Sequence, residues 1–444
     1  MEYLKAKEHG SAHPSPIEGR SRTALAPDRM PRLPRPAGWL SFETGALTTE
    51  ATLRNLETMI SLLQTTAEAL GRIDDTLLDA MELLQWAWSN SDHQEPPSPE
   101  LARLLERRLY TMDEAVRLCR FHGRGLLNGE SGVVGWGKDV IFVRGGPHTE
   151  DSPPEGYPVS ITAQPSRPHM IGGVSLHESW LQAESEIFLA EGERYLRFEC
   201  TAELTVREFL TELQSAVRGA GLDLEVGVTR NRRLIVRHSQ YGSQFKFKGC
   251  SRKTPLLTRR PGRLEWSRRG RDIKGTLAGE PAFGIGRLLI GYLDNPRTSE
   301  LSVLWPGPTA QEAGDPRVFV KQNGLAFQDR EQDEPDARIC LPVLYTHQIG
   351  RWLETGSAYQ ALRDVRCGTW DEVSDTLHMV YAVASEIEDW RERTERWIKR
   401  YQNRALVYLR RGVPLPGIPA EPGFVSAETE AMAQALRRMV GAEG

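Results

Sequence analysis

At each place in this 444-residue chain where residues suited to chemistry gather, one member of the set is missing. His177-Glu178 opens like the H-E-x-x-H helix, in which two histidines one turn apart bind zinc and the glutamate serves as base. Position 181, where the second histidine would stand, is leucine. Gly284 and Gly286 supply two glycines of a dinucleotide-binding turn, but the third is absent and no capped helix follows, so the pair reads as a tight hairpin. His9 with His13, and Cys119 with His122, have helical ligand spacing and no third ligand. Neither a G-x-S-x-G elbow nor a P-loop occurs. Cys119, Cys200, Cys250, Cys340 and Cys367 are dispersed, with no C-x-x-C pair, as suits isolated reduced thiols in packed positions. No catalytic residue, cofactor or metal is expected, and the chain reads as a protein that is not an enzyme.

Charge is distributed less evenly. Between Arg230 and Lys274 there are fifteen Lys or Arg against Glu265 and Asp272, in a chain whose net charge is only −4. The candidate basic face comprises Arg230, Arg232, Arg233, Lys246, Lys248, Arg252, Lys253, Arg259, Arg260, Arg268 and Arg269. Such an excess can grip a polyanion, meet an acidic partner or neighbouring subunit, or simply face solvent. Only Tyr241, Phe245, Phe247 and Trp266 interleave with it and no RNA-binding signature is present, so nucleic acid is not the expected partner.

The elements that carry these residues follow from periodicity. At this length two or three domains are expected. Apolar residues recur with alternating spacings of three and four at Leu53, Leu56, Ile60, Leu63, Ala67, Leu70, Leu77, Met81, Leu84 and Trp88, interrupted only by Asp74. That heptad seam predicts a helix of about 40 residues. Pro96-Pro97 must end it, and Ser98 can cap a second helix with Pro99 at its first position. Its stripe is Leu101, Leu105, Leu109, Met112, Val116 and Cys119, ending near Phe121. A third long helix is predicted at about 370–410, striped by Val373, Leu377, Val380, Ala384, Ile387, Ile398, Tyr401, Ala405 and Tyr408, with Arg391 and Thr394 as polar exceptions. Nothing near it in sequence can cover its seam, so it should pack against the first two helices. Asp74 and Arg391 either face each other across that bundle or, as the favoured expectation, stand solvated at its rim.

The expected fold is α+β: a long antiparallel helical bundle from both ends of the chain, 47–130 with 365–411, carrying a β-rich insert at 131–345. A disordered proline-rich leader over 1–46 and a proline-interrupted tail with a short helix over 412–444 complete it. Within the insert, strands are predicted at Arg194–Leu204, Leu222–Arg230, Leu234–His238 and Phe245–Lys248, the last two around a Tyr241-Gly242 turn. Thr205 and Glu208 form a capping box for a helix that buries Phe209, Leu210, Leu213 and Val217, giving a strand-helix-strand motif over 205–250. A hairpin region is expected over 271–305, and strands returning to the core over 317–345.

Several of these segments, in this order, resemble bacterial flagellins and flagellin-like hook-associated proteins. Leu63-Gln64-Thr65-Thr66-Ala67-Glu68-Ala69-Leu70 is similar to the first long flagellin helix. Phe121-His122-Gly123-Arg124-Gly125-Leu126-Leu127-Asn128-Gly129 is similar to the turn that follows the next one. Val318 to Gln328, with Ile339 to Pro342, resembles the strand pair before the C-terminal helix, and Phe424 to Met432 a C-terminal segment. Glu208 to Gly249 and Asp272 to Gly291 resemble motifs of flagellin inserts and filament caps. The resemblance covers 50–345 and 365–440. It departs from the family where the apolar terminal helix is replaced by the leader, where Gly412 to Pro419 interrupts the C-terminal helix, and where Asp79 and Met81 stand for arginines.

The resemblance implies a structural protein of the flagellar filament or one associated with it. It implies self-association, or binding to flagellin and hook-associated subunits, through the long helices, whose seam packing is carried by Leu56, Ile60, Leu63, Leu70, Leu77, Leu84, Leu105, Met112, Val116, Leu377, Val380, Ile387, Ile398 and Tyr401. The resemblance also implies an export chaperone as a partner. No stretch approaches a membrane span, and the leader lacks the apolar core of a signal peptide. Signal-less export to the flagellum is therefore expected, or a cytoplasmic location for a paralogue that is not exported. The alternative is a non-polymerising adaptor that uses the basic insert to bind a polyanion or acidic partner.

Overall fold

The computed structural model describes residues 49–91, 94–184, 186–200, 204–307, 315–327, 337–353 and 359–410. The leader over 1–46 and the tail over 412–444, including the flagellin-like segment at Phe424, lie outside them. Helix α1 (Thr49–Ser89) is 41 residues long. It ends before Pro96-Pro97, and α2 (Pro99–Leu118) begins with the Ser98 hydroxyl accepting from the Glu100 N–H at 3.2 Å. Proline at the first turn leaves no hydrogen bond unmade, because that N–H has no partner in any helix. α2 stops three residues short of the expected Phe121.

Apolar burial orders these helices. Leu56, Ile60, Leu63, Leu70, Leu77 and Leu84 are fully or almost fully buried on α1, and so is a second stripe of Met59, Leu62, Ile73 and Ala80. One helix needs two seams when it lies between two others. α2 runs antiparallel to α1: Arg108 meets Asp79 at 3.4 Å, and the Cys119 thiol reaches the Thr65 carbonyl at the other end. The last helix lies along α1's other seam, also antiparallel. There Trp370 meets Trp88 with ring centroids 6.0 Å apart, and Arg391 reaches Asp74.

Between α2 and that last helix the chain builds its β structure. A hairpin, β1 (Arg120–Phe121) with β2 (Arg124–Gly125), turns through His122 and Gly123 at φ of +47° and +81°. Leu126 and Leu127 then drop into the bundle core. Strands β3 (Val133–Lys138), β4 (Ile141–Arg144) and β5 (Tyr157–Ala163) follow, then β6 (His169–Ser175). Next come α3 (Glu178–Ala183), β7 (Glu186–Glu191), β8 (Arg194–Glu199), α4 (Val206–Gly219), β9 (Leu224–Val228) and β10 (Arg233–His238). β11 (Lys248–Ser251), β12 (Glu265–Trp266), β13 (Lys274–Leu277), β14 (Glu280–Ile285), β15 (Leu288–Gly291) and β16 (Ser302–Leu304) come after. β17 (Arg317–Gln322), β18 (Leu325–Phe327), β19 (Ala337–Ile339) and α5 (Trp370–Arg410) complete the order.

Eight strands form one sheet in the order β3-β17-β5-β13-β14-β15-β16-β4. Its two outermost strands are consecutive in sequence, joined by Asp139 and Val140, so the sheet must curl until its ends meet as a nearly closed barrel. Inside it pack Tyr157, Ile273, Leu277, Leu289, Val303, Trp305 and Val318. β5 and β13 are paired neighbours in this sheet, and the residues between them make a separate small lobe. Its two sheets, β6-β10-β9 and β12-β11-β7-β8, share a core with Phe209, Leu213 and Val217 of α4. The residues after β17 rejoin the bundle: Leu325, Phe327, Ile339, Leu341 and Leu344 belong to the helical core.

The chain is therefore α+β, a helical bundle from both ends of the sequence with a β-rich insert. Two strand expectations need correcting. The strand sought at Phe245–Lys248 occupies Lys248–Ser251, and it is not a hairpin partner of Leu234–His238. β10 pairs with β6 and β9, whereas β11 pairs with β7 and β12. Phe247 is buried among side chains of the lobe core, so its apolarity marks packing rather than an extended pairing. Leu210, expected on the buried face of α4, is half-buried.

Candidate functional site

Twelve of the fourteen seam residues, from Leu56 to Tyr401, are buried in one helical core, while Leu377 and Ile398 are half-buried at its margin. Met379 and Val383 take the inner positions beside Leu377, because α5 also meets the segment around Ile349 and Leu362. The rim reading of Asp74 and Arg391 is overturned. Asp74 is only 8% exposed and accepts from the Arg391 guanidinium at 2.7 Å, with Glu388 on the same guanidinium at 3.2 Å. The seam breaks in both helices are one ion pair. Thr394, the other exception, is fully buried and returns its hydroxyl to the Trp390 carbonyl at 2.8 Å, which satisfies it inside an apolar stripe. Trp88, counted on the α1 stripe, is partly exposed at the bundle end, against Trp370.

The basic residues sit on the small lobe. Glu184, buried, accepts from the Lys253 N–H at 2.9 Å and from the N–H and hydroxyl of Thr254 at 2.8 and 2.6 Å. With Leu256 and Leu257 sunk in the lobe core, it fixes the loop between β11 and β12 so that Arg252, Lys253, Arg259 and Arg260 stand outside. Arg252 pairs with Glu186 at 3.0 Å. Arg259 packs over Gly173 of β6, and Arg233 pairs with Ser175 further along that strand, which brings the Arg230–Arg233 turn near the loop. Arg232 takes φ of +55° in that turn. On β12, Trp266 is 56% exposed, with Lys248 and Lys246 4.4 and 4.9 Å from its ring centroid. Arg268 and Arg269 follow it, both exposed. An indole held open between two ammonium groups offers a binding partner both apolar area and positive charge.

Two polar groupings went unread in the sequence. The Nδ1 of buried His238 accepts from the Gln240 N–H at 2.9 Å, so its Nε2 is the donor to half-buried Glu191 at 2.7 Å. Burial pushes the Glu191 carboxyl up, but hydrogen bonds from His238 and the Asp223 N–H outweigh it and hold the group below its ordinary range. Where the bundle meets the barrel, a small cavity is lined by Val133, Phe142, Cys340, Arg351, Glu386 and Trp390. Burial raises the Glu386 carboxyl there, although the Trp352 indole N–H donates to it at 3.0 Å. Glu191 and His238, and Glu386 and Trp352, are far apart in sequence, so spacing gave no signal for either pair.

His177 and Gly286 take structural roles, and His9 and His13 lie outside the described residues. His177 caps the six-residue α3, its Nδ1 accepting from the Ser179 N–H. Gly286 turns the β14–β15 hairpin at φ of +56°. Among the described residues no group of three or more His, Cys, Asp or Glu is placed to hold a metal. All five cysteines are free, and burial pushes Cys119 and Cys200 up to about 12 and Cys340 and Cys367 to about 11. No described helix is long and apolar enough to cross a membrane.

No protein-family model matches the chain, and no curated protein matches it. Among solved structures, it is similar to the D2-D3 domains of the flagellar cap protein FliD from Escherichia coli, at 10% identity and a TM-score of 0.29, over 43% of this chain and 99% of that one. It is also similar to the D1-D2-D3 domains of the same protein, at 9% identity and a TM-score of 0.29, over 60% of this chain and 64% of that one, slightly under two thirds. Superpositions this loose carry no argument about the present chain.

Proposed function

We propose that this protein is a structural component of the bacterial flagellum, or a protein bound to it, which works through its long helices and not through catalysis. The observation that carries this reading is the bundle itself. Two 41-residue helices from opposite ends of the sequence lie antiparallel on one apolar core, with the β domains looped out between them. The flagellin-like segments, in family order from Leu63 to Gln328, support the same reading. Its partners are then copies of itself or other flagellin and hook-associated subunits, with an export chaperone before release, and its place is the extracellular filament or hook. A copy that is not exported stays in the cytoplasm.

Negative-stain microscopy of the purified chain, alone and mixed with flagellar filament seeds, tests this. Decorated or extended filaments are expected; monodisperse particles that ignore filaments overturn the reading. The exposed Trp266 between Lys246 and Lys248 favours a second reading, an adaptor that grips a polyanion. Salt-sensitive retention on heparin, without decoration of filaments, is the outcome that favours this second reading.

A further inference from the structure

The basic lobe has an acidic counterpart on the bundle. From Asp74 to Ser91 the α1 segment holds four carboxylates, and α5 from Trp370 to Trp390 holds six; neither stretch contains a single Lys or Arg. The two stretches lie side by side, bounded by the Trp88–Trp370 contact at one end and the Asp74–Arg391 pair at the other. Some of this charge is matched within the chain: Asp74 by Arg391, Asp79 by Arg108, and Asp371 by Arg218 of α4. Asp75, Glu82 and Asp389 are exposed. Asp75, Leu78, Glu82 and Trp86 fall at i, i+3, i+7 and i+11 and so share one helix face. On it Leu78 and Trp86 are 46% and 67% exposed, and Tyr381 on α5 is 63% exposed.

We propose that this acidic, aromatic end of the bundle receives the basic edge of the small lobe from a second copy of the chain, with Trp266, Lys246 and Lys248 seated against Leu78, Trp86, Asp75 and Glu82. The proposal rests on the self-association part of the functional reading and gives it a surface. Charge and apolar area are complementary on the two faces. Within one chain the lobe already meets the bundle through Arg218 of α4. That helix packs on β8, where Phe209 touches Phe198, and β8 is at the opposite edge of its sheet from β12. The basic edge is thus presented away from its own bundle. Because two different patches meet, the contact is head-to-tail, and it propagates into a ring or an open row of subunits.

Sedimentation velocity on the full chain tests it, at about 50 mM and about 500 mM salt, where screening lengths differ severalfold. The wild type is expected to associate at low salt and dissociate at high salt. Two charge-reversed proteins, Lys246→Glu with Lys248→Glu and Asp75→Lys with Glu82→Lys, are each expected to remain monomeric, and their equimolar mixture to associate again. Trp266→Ala and the milder Lys246→Gln with Lys248→Gln, which keep the fold readable by circular dichroism, are expected to weaken association by about tenfold or more. A wild type that is monomeric at low salt, or a mixture that fails to recover association, overturns the proposal. So does salt-sensitive retention on heparin without self-association, which assigns the basic edge to polyanions instead. Filament decoration is scored separately: decoration without salt-dependent self-association refutes this contact and leaves the flagellar reading standing.

Discussion

Replacing Arg391 with leucine should cost more than replacing Asp74 with leucine, and the double replacement should cost least. The asymmetry follows from burial. The Asp74 side chain is 11% exposed, while 37% of the Arg391 side chain reaches solvent. Breaking a fully buried pair costs about 3–5 kcal/mol, because a charge is left without a partner, whereas an exposed pair contributes at most about 1 kcal/mol. Arg391→Leu strands a carboxylate inside the seam, and since the lost partner was itself partly solvated, the expected cost is about 2 kcal/mol. Asp74→Leu instead continues the apolar stripe and leaves Arg391 with Glu388, so its cost should be below about 1 kcal/mol. With both replaced, the seam is apolar throughout, and stability should return to within about 0.5 kcal/mol of wild type or exceed it. A double-mutant cycle from urea unfolding, followed by helical circular dichroism, should give a coupling of about 1.5–3 kcal/mol. Additive single effects, or an Arg391→Leu protein as stable as wild type, would show that the pair does not span the bundle.

Core truncation at Leu70→Ala or Ile387→Ala should each destabilise the bundle by about 2–4 kcal/mol, measured by the same unfolding, because both side chains are fully buried. For Glu386 the folded state holds the proton more tightly than the unfolded chain. Its contribution is therefore full below the ordinary carboxylate range and lost as pH rises through the raised value. Glu386→Gln should accordingly raise the melting temperature at about pH 8 and change little at about pH 4. Glu191 has the opposite sign: its stabilisation is present above the ordinary carboxylate range and fades as pH falls through the depressed value, so Glu191→Gln should weaken the small lobe at neutral pH and flatten its acid sensitivity. With burial raising the thiols, Cys119 to about 12, a thiol-specific reagent at about pH 8 should label the native protein far more slowly than the urea-unfolded chain.

The helices were legible because their signals are local and repeated. Five heptads of Leu and Ile, the Ser98-Pro99 start and the Thr205/Glu208 capping box each fix a segment without reference to anything distant. The second seam of α1 was hidden for the same reason: Met59, Leu62 and Ile73 become core only once α1 lies between two partners. Strand pairing was less accessible. β11 reads as the continuation of β10, but its hydrogen bonds go to β7, some sixty residues earlier in the chain. The division of the insert into a barrel core and a lobe core depends on β5 and β13 being neighbours, which no local pattern encodes. The two charged patches proposed to meet split likewise. The run of basic residues was plain in the sequence, but the exposure of Trp266 between Lys246 and Lys248 depends on how β12 closes a sheet edge. The acidic end of the bundle needs α1 and α5 aligned before exposed carboxylates of both helices, among them Asp75, Glu82 and Asp389, gather at one end.

Hydrogen exchange across the chain, compared between wild type and Leu70→Ala, tests most directly whether both ends of the sequence make one bundle. Amides of 53–84 and 373–405 should be protected together, and the substitution in α1 should accelerate exchange in α5 while leaving α4 and its sheets unchanged. Exchange that rises in α1 alone, with α5 as protected as before, would contradict it.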